Sequence, residues 1–191
     1  RHILCFSTGD GSILWKKTYD NRTHRKHRLN SFASSTPALS RDALYVMFGN
    51  PDAVRIHALD HSGRELWKPS LGRFTSLHGH GTSPIVYEDM ILLGHHQGRN
   101  AEDSLKSYLV ALDAQTGEVV WETQRADYRE RVAQTAGPVI VKGKVISGSR
   151  CNPTSPRRGG CFITAHDAST GQELWRINTA ATPDQPGGDT W

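Results

Sequence analysis

No run of apolar residues in this sequence approaches the roughly 18 that a membrane-spanning helix requires, so no membrane span is expected. Helical periodicity is missing too, because no segment repeats its apolar residues at three-to-four spacing over ten or more positions. Cysteine is scarce: Cys5, Cys151 and Cys161 are too few and too widely spaced for a zinc site. Charge does not accumulate either. Lys and Arg outnumber Asp and Glu by 23 to 19, and a net +4 is too small to point to a nucleic-acid partner. A hydrophobic content of 36% with 22% charged residues is that of an ordinary globular domain. The chain enters a strand-like run, Ile3-Leu4-Cys5-Phe6, immediately after Arg1. No signal peptide is visible, and the expectation is a piece of a longer protein.

What the sequence does have is a repeated phrase. Residues 111–121 read ALDAQTGEVVW; 58–67 read ALDHSGRELW, 165–175 AHDASTGQELW, and 5–15, in altered form, CFSTGDGSILW. Each copy places Gly four residues before Trp: Gly11 and Trp15, Gly63 and Trp67, Gly117 and Trp121, Gly171 and Trp175. The tryptophans fall 52, 54 and 54 residues apart. A second element keeps step, a small polar residue and a proline leading into an alternating apolar strand, at Pro37, Pro84 and Pro138. Internal periods of this length belong to solenoids, propellers and arrays.

Within one period every signal is β. Val139–Val141 is a short strand turned by Lys142-Gly143, and Lys144–Ser147 and Phe162–Ala165 are the next two. The Asp167–Gly171 turn then leads into a fourth strand, Gln172–Trp175. Four short strands in about 50 residues make one propeller blade. In the phrase, Asp60, Asp113 and Asp167 are placed to accept backbone N–H groups of the turn, and the glycine supplies its positive φ. The tryptophan is large enough to fill the space between adjacent blades while its N–H finds a backbone acceptor, so its expected role is structural.

At this spacing the phrase resembles the tryptophan-docked blades of PQQ-type, quinoprotein-like β-propellers. The resemblance spans the whole chain and implies an all-β fold, with 1–191 one partial domain. About three and a half four-stranded blades of an eight-bladed ring are implied, with strands left open at its edges. Two branches of the family differ in function. PQQ-dependent alcohol dehydrogenases oxidise alcohols with the quinone and a calcium or lanthanide ion; outer-membrane assembly factors of the BamB type keep the propeller without a cofactor. Residues 108–191, ending in PGGDTW, resemble the dehydrogenases, and residues 1–107 are more similar to the cofactor-free propellers.

Site residues carry over unevenly. The resemblance implies that Thr135, three positions before Pro138, contacts PQQ. The metal-binding Glu expected after the KGKVI strand has no counterpart, since no acidic residue lies between 143 and 166 and Arg150-Cys151-Asn152-Pro153 stands in its place. The adjacent-cysteine pair of the dehydrogenases is also absent. Their quinone-stacking Trp, Asn ligand and catalytic Asp would fall beyond Trp191, so no catalytic residue is assigned.

Three further features carry their own readings. Cys151 and Cys161 bracket a Pro/Gly loop and are placed either for a disulfide of about 3 kcal/mol in an oxidising compartment or as two free thiols. Cys5, between apolar neighbours, reads as a small core residue. His78-Gly79-His80 and His95-His96 could gather imidazoles, though metal binding needs three or four convergent ligands. The basic run NRTHRKHR (21–28) reads as a solvated interblade loop, with an acidic partner or anionic headgroup as its alternative use.

The functional expectation is therefore a periplasmic PQQ-dependent alcohol dehydrogenase-like protein, acting on a small alcohol with an electron acceptor. The alternative is a non-catalytic propeller presenting its loops to protein partners.

Overall fold

The computed structural model describes residues 1–20, 23–24, 26–76, 79–97, 107–126, 137–149, 161–181 and 185–188. Among the described residues, fourteen strands form four sheets. β1 (His2–Phe6) and β2 (Ile13–Thr18) pair alone. Three four-stranded antiparallel meanders follow: β3 (Ala38–Leu39), β4 (Leu44–Gly49), β5 (Val54–Leu59) and β6 (Glu65–Trp67); then β7 (Ile85–Tyr87), β8 (Met90–His95), β9 (Ser107–Asp113) and β10 (Val119–Ala126); then β11 (Val139–Val141), β12 (Lys144–Gly148), β13 (Phe162–Asp167) and β14 (Glu173–Asn178). Each meander is one blade and the two-stranded sheet is half of one. The last strand runs three residues past the Trp175 expected from sequence, because the register continues to Phe162 opposite Asn178.

The apolar runs YVMF and MILL are continuous because the two middle blades are covered on both faces. Tyr45 and Met47 of β4 pack with Ile91 and Leu93 of β8, whereas Val46, between them, packs with Ile3 of β1. In the same way Met90 and Leu92 turn the other face of β8 toward Val145 of β12. Side chains alternate across a strand, so adjacent residues serve two different interblade cores. Ile56, Ala58, Leu59, Ile91, Ala111 and Leu112 are wholly buried.

The repeated phrase is the turn between the third and fourth strands of each blade. Asp113 Oδ1 accepts the N–H groups of Gln115 and Thr116 at 2.8 and 2.7 Å, and Asp167 Oδ1 those of Ser169 and Thr170, both at 2.9 Å. Asp60 Oδ1 accepts from Ser62 and Arg64, both at 3.0 Å, in a turn one residue shorter. In the first copy Ser7 stands at the Asp position and its Oγ accepts the Gly9 N–H at 3.2 Å, while Asp10 Oδ1 takes the Ser12 N–H at 3.1 Å. All four glycines have positive φ, between 73° and 85°.

The first three tryptophans of the repeat reach across to the next blade's turn. Trp15 Nε1 donates to the His61 carbonyl at 2.9 Å, Trp67 Nε1 to Ala114 at 3.1 Å, and Trp121 Nε1 to Ala168 at 3.0 Å. The rings lie flat against the following glycines. A Cβ on Gly63, Gly117 or Gly171 would stand only 2.8, 2.8 or 2.7 Å from Cδ2 of Trp15, Trp67 or Trp121. So the glycine does two things: it adopts the turn's backbone and it leaves room for the preceding blade's indole. Trp121 is 9% exposed, but Trp175, with no following turn among the described residues, is 36% exposed. At the other end nothing lies within 4 Å of a Cβ built on Gly11.

Candidate functional site: the loop end of the blades

In a meander, alternate connections share an end. The Asp/Gly turns sit beside the first hairpin turns, as the Ala114 N–H to Asp89 carbonyl and Ala168 N–H to Gly143 carbonyl bonds (2.8 and 2.9 Å) show. The connections between second and third strands, and between blades, therefore gather at the opposite end. His24, Lys26, His80 and His96 belong to those connections. Consecutive blade entries meet there: the Thr36 N–H donates to Ser83 Oγ at 2.9 Å, one residue ahead of Pro37 and Pro84 respectively.

Thr135 and Cys151 lie outside the described residues, as do His78, Arg22 and Arg25 of the motifs above. Cys161 is disulfide-bonded and Cys5 is free. Cys5 is only partly buried, because β1 and β2 form a two-stranded sheet.

Of the two histidine motifs, the buried His95 and the half-buried His80 pack against Phe74. His80 packs edge-on to Phe74 at 5.4 Å, and His95 lies 5.0 Å from Tyr108 and 6.1 Å from Phe74. His80 fills the space over Gly49, where an added Cβ would come within 2.5 Å of its own Cβ. His95 Nε2 donates to the Arg73 carbonyl at 3.1 Å, and Gln97 ties the same loop by donating to Arg73 O and accepting from Thr75 N–H. Burial drives His80 down to about 4, helped by His95 and Arg1, and His96 to about 3, helped by Arg125. They are neutral at pH 7. Among the described residues no group of three His, Cys, Asp or Glu side chains stands together to hold a metal ion.

The basic run departs from a solvated loop. Lys26 and His24 turn inward around Phe32: the Lys26 ammonium sits 5.1 Å from its ring and the His24 ring 5.2 Å, while the Arg1 guanidinium covers it at 5.2 Å. The signal lay in Phe32, four residues beyond the run, which offers two cations an aromatic face.

Two polar networks had no sequence signal. Glu65 accepts from Tyr19 Oη (2.9 Å), His57 Nδ1 (3.0 Å) and Lys68 Nζ (2.9 Å). Burial alone would raise its pKa, yet these donors hold it at about 2. In the last blade the Phe162 ring lies beneath the guanidinium of Arg176 at 4.0 Å and that of Arg125 at 5.5 Å. Arg125 also reaches the Ser147 and Gly148 carbonyls at 3.4 Å and is lowered to about 10, chiefly by burial. The contacts that join different blades, Tyr19 with Glu65 46 positions on and Arg125 with Phe162, are ones that local patterns do not reveal.

Comparison with known proteins decides the family. The PQQ_2 family, described as outer membrane protein assembly factor BamB, matches residues 1–187. The chain belongs to this PQQ-like repeat family. Quinohemoprotein alcohol dehydrogenase ADH IIB of Pseudomonas putida is 29% identical over 151 residues, covering 76% of this chain and 20% of that protein. Methanol dehydrogenase subunit 1 of Methylobacterium organophilum is 38% identical over 81 residues, 42% of this chain and 12% of that protein. The chain thus spans about a fifth or less of these relatives. In fold it matches the quinohemoprotein alcohol dehydrogenase from Comamonas testosteroni with a TM-score of 0.66 at 18% identity, over 93% of this chain and 32% of that one. This PQQ-like chain is accordingly a β-propeller segment whose relatives include quinoprotein alcohol dehydrogenases.

Proposed function

We propose that the full-length protein is an extracytoplasmic quinoprotein of the alcohol dehydrogenase type, in which these blades frame one side of the cofactor site. The observation that carries this reading is the similarity to quinoprotein dehydrogenases along three quarters of the chain, at 29% identity to one of them. The disulfide at Cys161 supports an oxidising compartment, and pairing with Cys151 would clip the loop in which the metal-binding Glu was expected.

The residues present fit the two cofactors differently. PQQ supplies the electron-accepting carbonyl of this chemistry when bound. Thr135 is its one contact carried over from the family, and Arg125, a buried cation, suits an anionic ligand nearby. A divalent metal does not fit this part of the chain. Residues 143–166 offer no carboxylate, and Arg125 brings positive charge to the Ser147–Gly148 strand end. No step of alcohol oxidation is therefore assigned to these residues. What they do is hold the loop end rigid, through the tryptophan docks below and the aromatic–cation stacks above.

The test is equilibrium binding of PQQ to the full-length protein and its Thr135→Ala variant. The variant is expected to bind about tenfold more weakly, the loss of one hydrogen bond to a charged ligand. Equal affinities would remove Thr135 from the site. A second reading, a non-catalytic propeller with protein partners, is favoured by the missing carboxylate and by the BamB description of the matching family. It predicts no PQQ binding to either form.

A further inference from the structure

The loop end holds a small cavity that neither reading above uses. Its lining comes from Arg1, from the inward-turned loop (His24, Lys26, Asn30, Phe32, Ser35), from Gly49 at the end of β4 and from His80 ahead of β7. Three of the lining side chains end in a buried polar atom with no hydrogen-bond partner: His24 Nδ1, Ser35 Oγ and His80 Nε2. Each such atom left unpaired costs about 1–3 kcal/mol. Two cations stand beside them. The Arg1 guanidinium is fixed by its bond to the Gly49 carbonyl at 3.0 Å and by the Phe32 and Phe48 rings, and the Lys26 ammonium by the Asn30 carbonyl and Phe32. Among the described residues no carboxylate lines the cavity.

These features share one electrostatic sense. Hydroxyl and imidazole N–H groups are donors, or can be by choice of tautomer, and both fixed charges are positive. An anion would satisfy all of them together, with charge-assisted bonds about twice as strong as neutral ones. The space is also limiting: about 10 Å³ admits the centre of a single water-sized body. That size excludes a polyatomic ligand held inside.

We propose that this cavity is a halide-binding site, holding one chloride ion between Ser35, His80, His24 and the Lys26 and Arg1 charges. The ion ties the loop that follows β2 to the entry of the next two blades. It does not depend on the dehydrogenase reading, since the lining residues all lie before Gly81 in sequence.

The test has two parts. Crystals grown without chloride are soaked in sodium bromide and measured at the bromine edge, where an anomalous peak is expected within hydrogen-bond reach of Ser35 Oγ and His80 Nε2. In solution, melting of the wild type is followed from 1 to 200 mM chloride at constant ionic strength made up with gluconate. A saturable rise of about 3 °C is expected. Lys26→Met should abolish the rise, whereas Lys16→Met on the neighbouring β2 should leave it intact. An ordered water in place of bromide, or a chloride response identical in wild type and Lys26→Met, would overturn the proposal.

Discussion

The tryptophan docks make a quantitative claim that the chain can test against itself. Gly171 and Gly11 occupy the same turn position with nearly the same backbone, φ 73° and 74°. Alanine at either pays the strain of a left-handed residue, about 1–2 kcal/mol. Only at Gly171 does the new methyl group meet something. It would stand 2.7 Å from Trp121 Cδ2 and 2.8 Å from Thr123 Oγ1, whereas Gly11 has nothing within 4 Å. Trp121 is 9% exposed and tied to the Ala168 carbonyl, so it cannot move aside freely. Overpacking of this kind adds about 1–3 kcal/mol. Gly171→Ala should therefore cost roughly 2–5 kcal/mol against 1–2 for Gly11→Ala, read from urea unfolding followed by tryptophan fluorescence. Equal losses, within about 0.5 kcal/mol, would mean that the indole does not rest on the turn and that the blade-locking argument is wrong.

Other perturbations follow from the same geometry. Trp121→Phe keeps an aromatic ring but leaves the Ala168 carbonyl without its donor, and should cost about 1–3 kcal/mol; Trp175→Phe in this chain, where the ring is 36% exposed, should cost well under 1 in the same urea assay. Burial holds His80 at about 4 and His96 at about 3, both below the usual ~6.5 of an unfolded histidine. Between those limits the unfolded chain binds more protons, so stability is complete above pH 6.5 and declines as the pH falls toward 4. The loss is on the order of 2 kcal/mol per histidine. Urea midpoints at pH 7.5 and 5.0 check it, and a His80→Gln, His96→Gln double variant should flatten the slope. Reduction of the Cys161 disulfide should lower the unfolding free energy by about 3 kcal/mol if it closes the loop to Cys151, and peptide mapping under non-reducing conditions identifies the partner.

The fold was legible because its repeat is written in residues whose physics is local. Asp113, Gly117 and Trp121 sit within nine positions, and a turn acceptor, a positive φ and a large apolar ring need only those positions to be recognised. Pro37, Pro84 and Pro138 mark strand entries for the same reason, and β3, β7 and β11 each begin at the next residue. The loop end was less legible. Glu65 is an ordinary outer-strand residue in the sequence, and only the approach of Tyr19 from 46 positions away makes it the centre of a network. The basic run looked solvated because Arg1 and His80 come to it from other parts of the chain, while Phe32 of its own connection gathers the cations. Where chemistry depends on loops from several blades, sequence order hides the neighbours.

The most direct test of the central claim is titration of the full-length protein with PQQ, with calcium supplied and binding read by equilibrium dialysis and the quinone absorbance. The account predicts saturable uptake approaching one quinone per chain, followed by dye reduction that requires a primary alcohol. No uptake at saturating quinone would contradict it and leave the propeller as a scaffold.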